Sequence, residues 1–103
     1  MKNDLNKKIN NLMISAQSSK EQGDLPSTLN YLNEILKLDT NNKRALNNIG
    51  NAYKEMKNFD EAVKYYSKAI NSDPNYKIAK INLSILYHDL GNLDKAEKLY
   101  KDL

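Results

Sequence analysis

Apolar residues recur at intervals of three and four along most of the chain, which is the spacing that places side chains on one face of an α-helix. In the middle of the chain the pattern occurs twice in succession, and each run predicts one amphipathic helix. The first run comprises Leu46, Ile49, Ala52, Tyr53 and Met56, and the second comprises Phe59, Ala62, Val63, Tyr66, Ala69 and Ile70. The polar stretch between the runs predicts a turn, so the two helices should form a hairpin.

Residues in the turns predict where the helices end. Asn58 is a good N-cap for the second helix of the hairpin, and Glu61 three residues later can complete a capping box. Gly23 and Gly91 occupy equivalent breaks and suit the left-handed conformation that ends a helix. Pro74 is expected in the first turn of the next helix, where its missing N–H costs nothing. The chain is therefore predicted to be short helices joined by tight turns.

The chain repeats its own pattern at an offset of 34 residues. Aligned sets include Asp24, Asn58 and Asn92; Thr28, Ala62 and Ala96; and Leu32, Tyr66 and Tyr100. We place three units of two helices each at residues 9–42, 43–76 and 77–103, and we expect residues 1–8 to extend the first helix or fray. The small residues Gly50, Ala62 and Ala69 are predicted where helices cross closely.

The middle unit resembles the tetratricopeptide repeat, a pattern of small and large apolar residues that ends in proline. The matching residues are Leu46, Ile49, Gly50, Tyr53, Ala62, Tyr66, Ala69 and Pro74. The third unit departs from the pattern at Lys80 and Ser84, and the first at Ser19, Thr28 and Thr40. The resemblance implies an all-α, right-handed superhelical solenoid of antiparallel helix pairs, with three units of which the last is incomplete. It also implies a protein-binding module rather than an enzyme.

The resemblance places the first helix of each unit on a concave inner groove, where a partner peptide would bind. The predicted peptide-binding residues are Arg44, Asn47, Asn48, Asn51, Asn82 and Ile85. Asn48 and Asn82 hold the same repeat position, and a row of amides can bond the backbone of an extended peptide. The protein glycosyltransferase that adds N-acetylglucosamine has a similar asparagine ladder. The alternative is that an asparagine-rich chain places asparagines there by composition.

Some members of the family bind the acidic C-terminal tails of heat-shock chaperones through a carboxylate clamp. At the five clamp positions this chain has Met13, Gln17, Asn48, Ile78 and Asn82, of which only Asn48 matches. Charge-assisted bonds to a carboxylate need the missing cations, so chaperone tails are not expected as partners. If Ile78, Ile81 and Ile85 face the groove, they offer an apolar stretch for an amphipathic helix; alternatively, some of them pack against the previous unit.

The third unit stops inside its second helix, without the polar helix that commonly closes such repeats. The chain is then either a piece of a longer solenoid, such as the targeting domain of a larger enzyme like a glycosyltransferase, or a chain whose open end packs on another copy. The residues expected to mediate such self-association are Leu86, Leu90, Leu99, Tyr100 and Leu103.

Composition narrows the classes of partner and of chemistry that the chain could have. The net charge is only +3 and the basic residues are spread along the chain, so no nucleic-acid partner is expected. There is no cysteine and no apolar stretch long enough to span a bilayer, so we expect a cytoplasmic chain that does not bind membranes. His88 is the only histidine and has no nucleophile partner in the pattern. We therefore expect no catalytic residues, no metal site and no cofactor.

Overall fold

The computed structural model describes residues 2–103, and within them the chain forms six α-helices and no strand. The helices are α1 (Lys2–Glu21), α2 (Leu25–Leu38), α3 (Lys43–Glu55), α4 (Phe59–Ser72), α5 (Lys77–Asp89) and α6 (Leu93–Lys101). The architecture is an all-α solenoid of antiparallel helix pairs, as predicted. Residues 2–8 continue α1, whereas Met1 lies outside the described residues.

The helices form two layers. Each helix packs mainly against the helices before and after it in sequence, so the fold grows one helix at a time. Side-chain hydrogen bonds join α1 to α3 and α3 to α5, which makes these three helices one layer. The helices α2, α4 and α6 form the other layer. The molecule measures 43 × 28 × 17 Å, so a large share of every helix remains close to solvent.

The predicted turns are confirmed at most positions. Asn58 caps α4, with its side-chain oxygen accepting from the N–H of Glu61. Gly23 and Gly91 have positive φ angles of 76° and 85°, and Lys57 takes the same conformation at 62° in the middle unit. The capping box is not formed because the N–H of Asn58 donates to the carbonyl of Tyr53 instead.

The prediction for Pro74 is wrong by three residues. It lies in the turn between α4 and α5, because α5 begins only at Lys77. In that turn the N–H of Tyr76 donates to the carbonyl of Asp73, which places proline at the second position of a β-turn. The proline at the start of a helix is Pro26, at the beginning of α2.

A tyrosine packed on a glycine fixes how α3 crosses α4. Tyr66 is fully buried, and its ring lies where a Cβ on Gly50 would approach to 2.6 Å. The hydroxyl of Tyr66 donates to the side-chain oxygen of Asn51. Burial, followed by the negative charge of Glu55, raises the pKa of Tyr66 to about 12, so the hydroxyl stays a donor at any physiological pH.

Two ion pairs join the start of one helix to the end of the next. The ammonium of Lys43 on α3 lies 2.6 Å from the carboxylate of Asp73, which caps α4. One unit later, Lys80 on α5 lies 2.7 Å from Asp102, which caps α6. Lys80 is buried where the repeat pattern has a large apolar residue, because its stem fills that space while its charge reaches Asp102.

Acid is expected to weaken the fold through Asp73. The hydrogen bond from the Lys43 side chain, helped by the N–H of Asn75, lowers the pKa of Asp73 below its ordinary value of 3.8. A carboxyl whose pKa is lower in the folded state stabilises the fold above pH 3.8, and this contribution is lost as the pH falls through the folded pKa. We therefore expect the urea midpoint, followed by circular dichroism, to drop below about pH 4 and to drop less in Asp73→Asn.

A second carboxyl, that of Asp24 at the N-cap of α2, is expected to behave in the same way. Hydrogen bonds from the side chain and backbone of Ser27 lower the pKa of Asp24 as well. Its contribution is lost in the same direction on acidification, so Asp24→Asn should also flatten the pH dependence. A pH dependence that neither variant changes would contradict the assignment to these two carboxylates.

Candidate functional site

The layer of α1, α3 and α5 carries a chain of hydrogen-bonded amides. The side chain of Asn82 donates to Asn47 at 3.1 Å, Asn47 donates to Asn48 at 3.5 Å, and Asn48 donates to the sulfur of Met13 at 3.6 Å. We call Asn47, Asn48 and Asn82 the asparagine row. The row lies on α3 and α5 and reaches α1 through Met13, so one function of these amides is to hold neighbouring units together. A composition-driven scatter of asparagines would not require such mutual contacts.

The predicted peptide-binding residues differ in accessibility. Arg44 is exposed, and Asn48, Asn51 and Asn82 are half-buried. Asn47 is only 3% exposed, so the prediction that it is open to a ligand is wrong. The reason is that α5 packs over it and supplies Asn82 as its partner. Asn51 keeps some exposure, but its side-chain oxygen already accepts the hydroxyl of Tyr66.

Three isoleucines on α5 lie at the surface rather than against the previous unit. Ile78, Ile81 and Ile85 are 55%, 39% and 38% exposed. The equivalent residues of the second unit show to which surface each isoleucine belongs. Those of Ile78 and Ile85 are Arg44 and Asn51, which remain at least partly exposed although the third unit packs beside them. Ile78 and Ile85 therefore belong to the surface shared by α1, α3 and α5. The counterpart of Ile81 is the buried Asn47, so Ile81 belongs to the end of the solenoid.

A cleft at one end of the asparagine row was not predicted from the sequence. It is a narrow cleft that opens to solvent between α1, α2 and α3. The lining residues are Met13, Ala16, Gln17, Lys20, Leu25, Thr28, Leu32, Asn48, Ala52 and Glu55. One unit later the positions of Leu32 and Ala52 hold the larger Tyr66 and Leu86, both fully buried. The smaller residues leave the cleft, and the repeat alignment could have revealed it.

The residues predicted for self-association divide into buried and exposed groups. Leu86 is 1% exposed in the core between α4 and α5, so its assignment to the open end is wrong. Leu99 is half-buried and packs against the same core. The exposed members are Leu90, Tyr100 and Leu103. Leu86 points from α5 towards α4. The equivalent residue of α3, Ala52, points in the same way towards α2.

Ionisable side chains flank the asparagine row but are not part of it. Among residues 2–103, no three histidine, aspartate or glutamate side chains lie close enough together to hold a metal ion. His88 is exposed, with Nδ1 3.8 Å from the carboxylate of the adjacent Asp89. Over the same residues, no helix is both long and apolar enough to cross a bilayer. The polar chemistry of this surface is supplied mainly by amides, with Arg44, Lys20 and Glu55 around them.

Comparisons with solved structures recover the fold over nearly the whole chain. MamA superposes with a TM-score of 0.85 at 22% identity, covering 91% of this chain and 55% of MamA, so the chain spans about half of that protein. The TPR2B domain of yeast Sti1, in a complex with pHsp70, gives 0.86 at 21% identity over 93% of this chain and 77% of that one. The second TPR of Spaghetti (RPAP3), bound to the HSP90 peptide SRMEEVD, gives 0.84 at 19% identity over 97% and 94%.

Family models give the sequence-level evidence. No curated protein matches the chain. Two models described as tetratricopeptide repeat do match it, one over residues 44–76 and the other over residues 79–103, and together they cover more than half of its length. The matched segments correspond to the helix pairs α3–α4 and α5–α6. With the same architecture found in α1–α2, the chain belongs to the tetratricopeptide repeat family.

Proposed function

We propose that this chain is a protein-interaction module that binds an extended segment of a partner protein along α1, α3 and α5. The observation that carries the proposal is the exposure of Ile78 and Ile85 beside the half-buried amides of Asn48 and Asn82. Large aliphatic side chains gain free energy when a partner removes them from water, up to about 1.5–3 kcal/mol for full burial. Apolar groups next to amides suit a peptide, which is itself an amide backbone with side chains.

The amides supply recognition that does not depend on the peptide sequence. Each asparagine amide has two N–H donors and an oxygen that accepts twice, and the bonds within the asparagine row use only part of this capacity. Asn48 and Asn82 retain exposure, so each can donate to or accept from the backbone of a bound segment. Their bonds to Asn47 hold both amides in place before binding, which lowers the entropy lost on association.

The cleft between α1 and α3 supplies a place for one partner side chain. Its floor is made of apolar groups that include Ala16, Leu32 and Ala52, and its rim carries the opposite charges Lys20 and Glu55. A slender apolar side chain, flanked by polar backbone, matches this arrangement. The cleft and the exposed isoleucines lie at opposite ends of the asparagine row, so a bound segment would contact all three units.

Acidic chaperone tails are not the partners that we propose. The related domains of Sti1 and Spaghetti are solved with pHsp70 and with an HSP90 peptide, which supports peptide binding by a module of this shape. In this chain, however, Met13 is buried and Ile78 is exposed at positions where a carboxylate clamp needs cations. Replacing those cations with apolar groups favours an uncharged, partly apolar segment.

The test uses peptides selected from a displayed random library against the purified chain, titrated as fluorescent probes. The groove variant is Ile78→Ser/Ile85→Ser, and the matched control is Met56→Ser/Leu93→Ser, which removes two apolar side chains of similar exposure elsewhere. We expect the groove variant to lose about tenfold in affinity or more, the equivalent of about 1.4 kcal/mol, and the control to bind like the wild type.

Three results would contradict the proposal: no peptide selected, equal losses in both variants, or a dominant selection of acidic tails. The peptide SRMEEVD is titrated alongside and is expected to show no saturable binding. Isoleucine variants are preferred to asparagine variants because Asn51 and Asn82 bond to the buried Tyr66 and Asn47. Removing them would leave buried polar groups unpaired and weaken the fold itself.

A further inference from the structure

The end of the third unit exposes side chains at positions that are covered one unit earlier. We call Ile81, Glu97, Tyr100, Lys101 and Leu103 the end face. Among its three apolar members, Ile81 is 39% exposed, Tyr100 is 49% exposed and Leu103 is 42% exposed. Their counterparts 34 residues earlier are Asn47, Tyr66 and Ala69, all buried where α5 packs on α3 and α4. The equivalent surface of the second unit is an interface with α5, whereas no residue among 2–103 covers the end face.

The N-terminal end of the same molecule does not match this surface. Helix α5 meets the second unit through the apolar residues Ala79, Leu83 and Leu86. The counterparts of these three on α1 are Asn11, Ser15 and Ser18, which are polar and lie at the surface to differing degrees. Stacking copies head to tail would place these amide and hydroxyl groups against Tyr100 and Leu103, where they would lose water without finding partners. An open-ended filament is therefore disfavoured.

The charges of the end face are complementary to themselves. Glu97 and Lys101 form an ion pair of 2.9 Å along α6, and both side chains are more than half exposed. Their counterparts on α4 are Val63 and Ser67, and Val63 packs against the core that contains Leu83 and Leu86. Glu97 and Lys101 therefore lie on the side of α6 that a following helix would cover.

A two-fold axis brings each of these charges onto its opposite. When two α6 helices run antiparallel across an axis at the level of residue 99, Glu97 of one copy faces Lys101 of the other, and the reverse contact forms at the same time. The same axis places the tyrosines of both copies side by side and covers Ile81 and Leu103. Such a contact closes on itself and uses every group of the end face. Complementary charges of this kind fix register and partner choice more than they add affinity.

We propose that the end face is an isologous interface through which two copies of this chain associate. The occupant is a second copy because the surface matches its own charge pattern and does not match the polar face of α1. The interface does not require peptide binding, since Ile78, Ile85, Asn48 and Asn82 lie outside it. The binding surfaces of both copies stay open, so the dimer would present two of them.

The first experiment measures the mass in solution by sedimentation velocity from low micromolar to near-millimolar concentrations. We expect the wild type to pass from 11.8 kDa to twice that mass, and Tyr100→Glu to weaken dimerisation by about tenfold or more. Met56→Glu is the matched control, because Met56 is about as exposed as Tyr100 but lies at the end of α3 in the second unit, whereas Tyr100 lies on α6. The control should dimerise like the wild type. Circular dichroism checks that both variants keep their helices.

The second experiment tests the two-fold arrangement by exchanging charges. Glu97→Lys places like charges opposite Lys101 of the second copy, and Lys101→Glu does the same opposite Glu97, so each variant alone should dimerise more weakly. An equimolar mixture of the two variants restores opposite charges at both contacts and should form a heterodimer. A monomeric wild type at every concentration, masses that grow beyond a dimer, or a mixture no better than either variant would overturn the proposal.

Discussion

Gly50→Ala is expected to destabilise the fold by about 1–3 kcal/mol, the usual cost of forcing extra volume into a packed core. The added Cβ would lie 2.6 and 2.7 Å from two ring carbons of Tyr66, so either the ring or the α3 backbone must move. Neither moves easily, since the ring is fully buried and its hydroxyl is bonded to Asn51. Urea unfolding followed by circular dichroism at 222 nm, the usual helix signal, is the measurement.

The sign of this effect is informative because alanine is otherwise the better helix former, by about 1 kcal/mol. A more stable Gly50→Ala protein would show that the crossing of α3 and α4 is looser than described. The control is a double-mutant cycle with Tyr66→Leu, since the first unit already pairs Ala16 with Leu32 at the equivalent positions. We expect the two substitutions together to cost less than the sum of the single effects.

Leu86→Ala is expected to cost about 2–5 kcal/mol, the range for a leucine removed from a core. Leu86 is 1% exposed and packs with Ala62, Tyr66 and Leu83, so its loss leaves a cavity between the second and third units. Because units of a solenoid contact only their neighbours, the third unit should unfold first. Hydrogen exchange should then show lost protection in α5 and α6 before α1 and α2.

The comparison for this prediction is Leu90→Ala, which removes the same atoms from a side chain that is 48% exposed. We expect its free energy of unfolding to stay within about 0.5 kcal/mol of the wild type. If Leu86→Ala instead altered the mass in solution and left the stability unchanged, the original sequence-based assignment of Leu86 to the open end would be correct. The two variants therefore distinguish a core leucine from a surface leucine near the end of the same helix.

The helices and the turns were predictable because the signals for them are local. Asn58 before α4 and Gly23 and Gly91 in the turns act on backbone groups within a few residues, and apolar spacing reports directly on helix faces. Pro74 was misplaced because proline suits both the first turn of a helix and a β-turn, and sequence spacing does not distinguish them.

The candidate binding surface was predictable only in part. Repeat equivalence predicts that Asn48 and Asn82 lie in one layer of helices, and the structure places both, half-buried, in the layer of α1, α3 and α5, where Ile78 and Ile85 are exposed. Peptide binding by this layer stays a prediction. The burial of Asn47 could not be read from its residue type, because asparagine is usually exposed and this one is covered by the following unit. The cleft arises because several residues on three helices have small side chains. The pattern of any one helix does not reveal such a combined effect.

The sequence alone determined a chain of short helices in repeated pairs, because periodicity and capping depend on neighbours a few residues away. It also determined the family, since the spacing of small and large residues sets how each pair packs. Only the tertiary structure decided which copies of one repeat position are buried. Asn47 and Ile81, like Tyr66 and Tyr100, are equivalent in sequence, yet the first of each pair is covered by a following unit and the second is not. Burial depends on what packs next to a residue, and that is a property of the assembled solenoid.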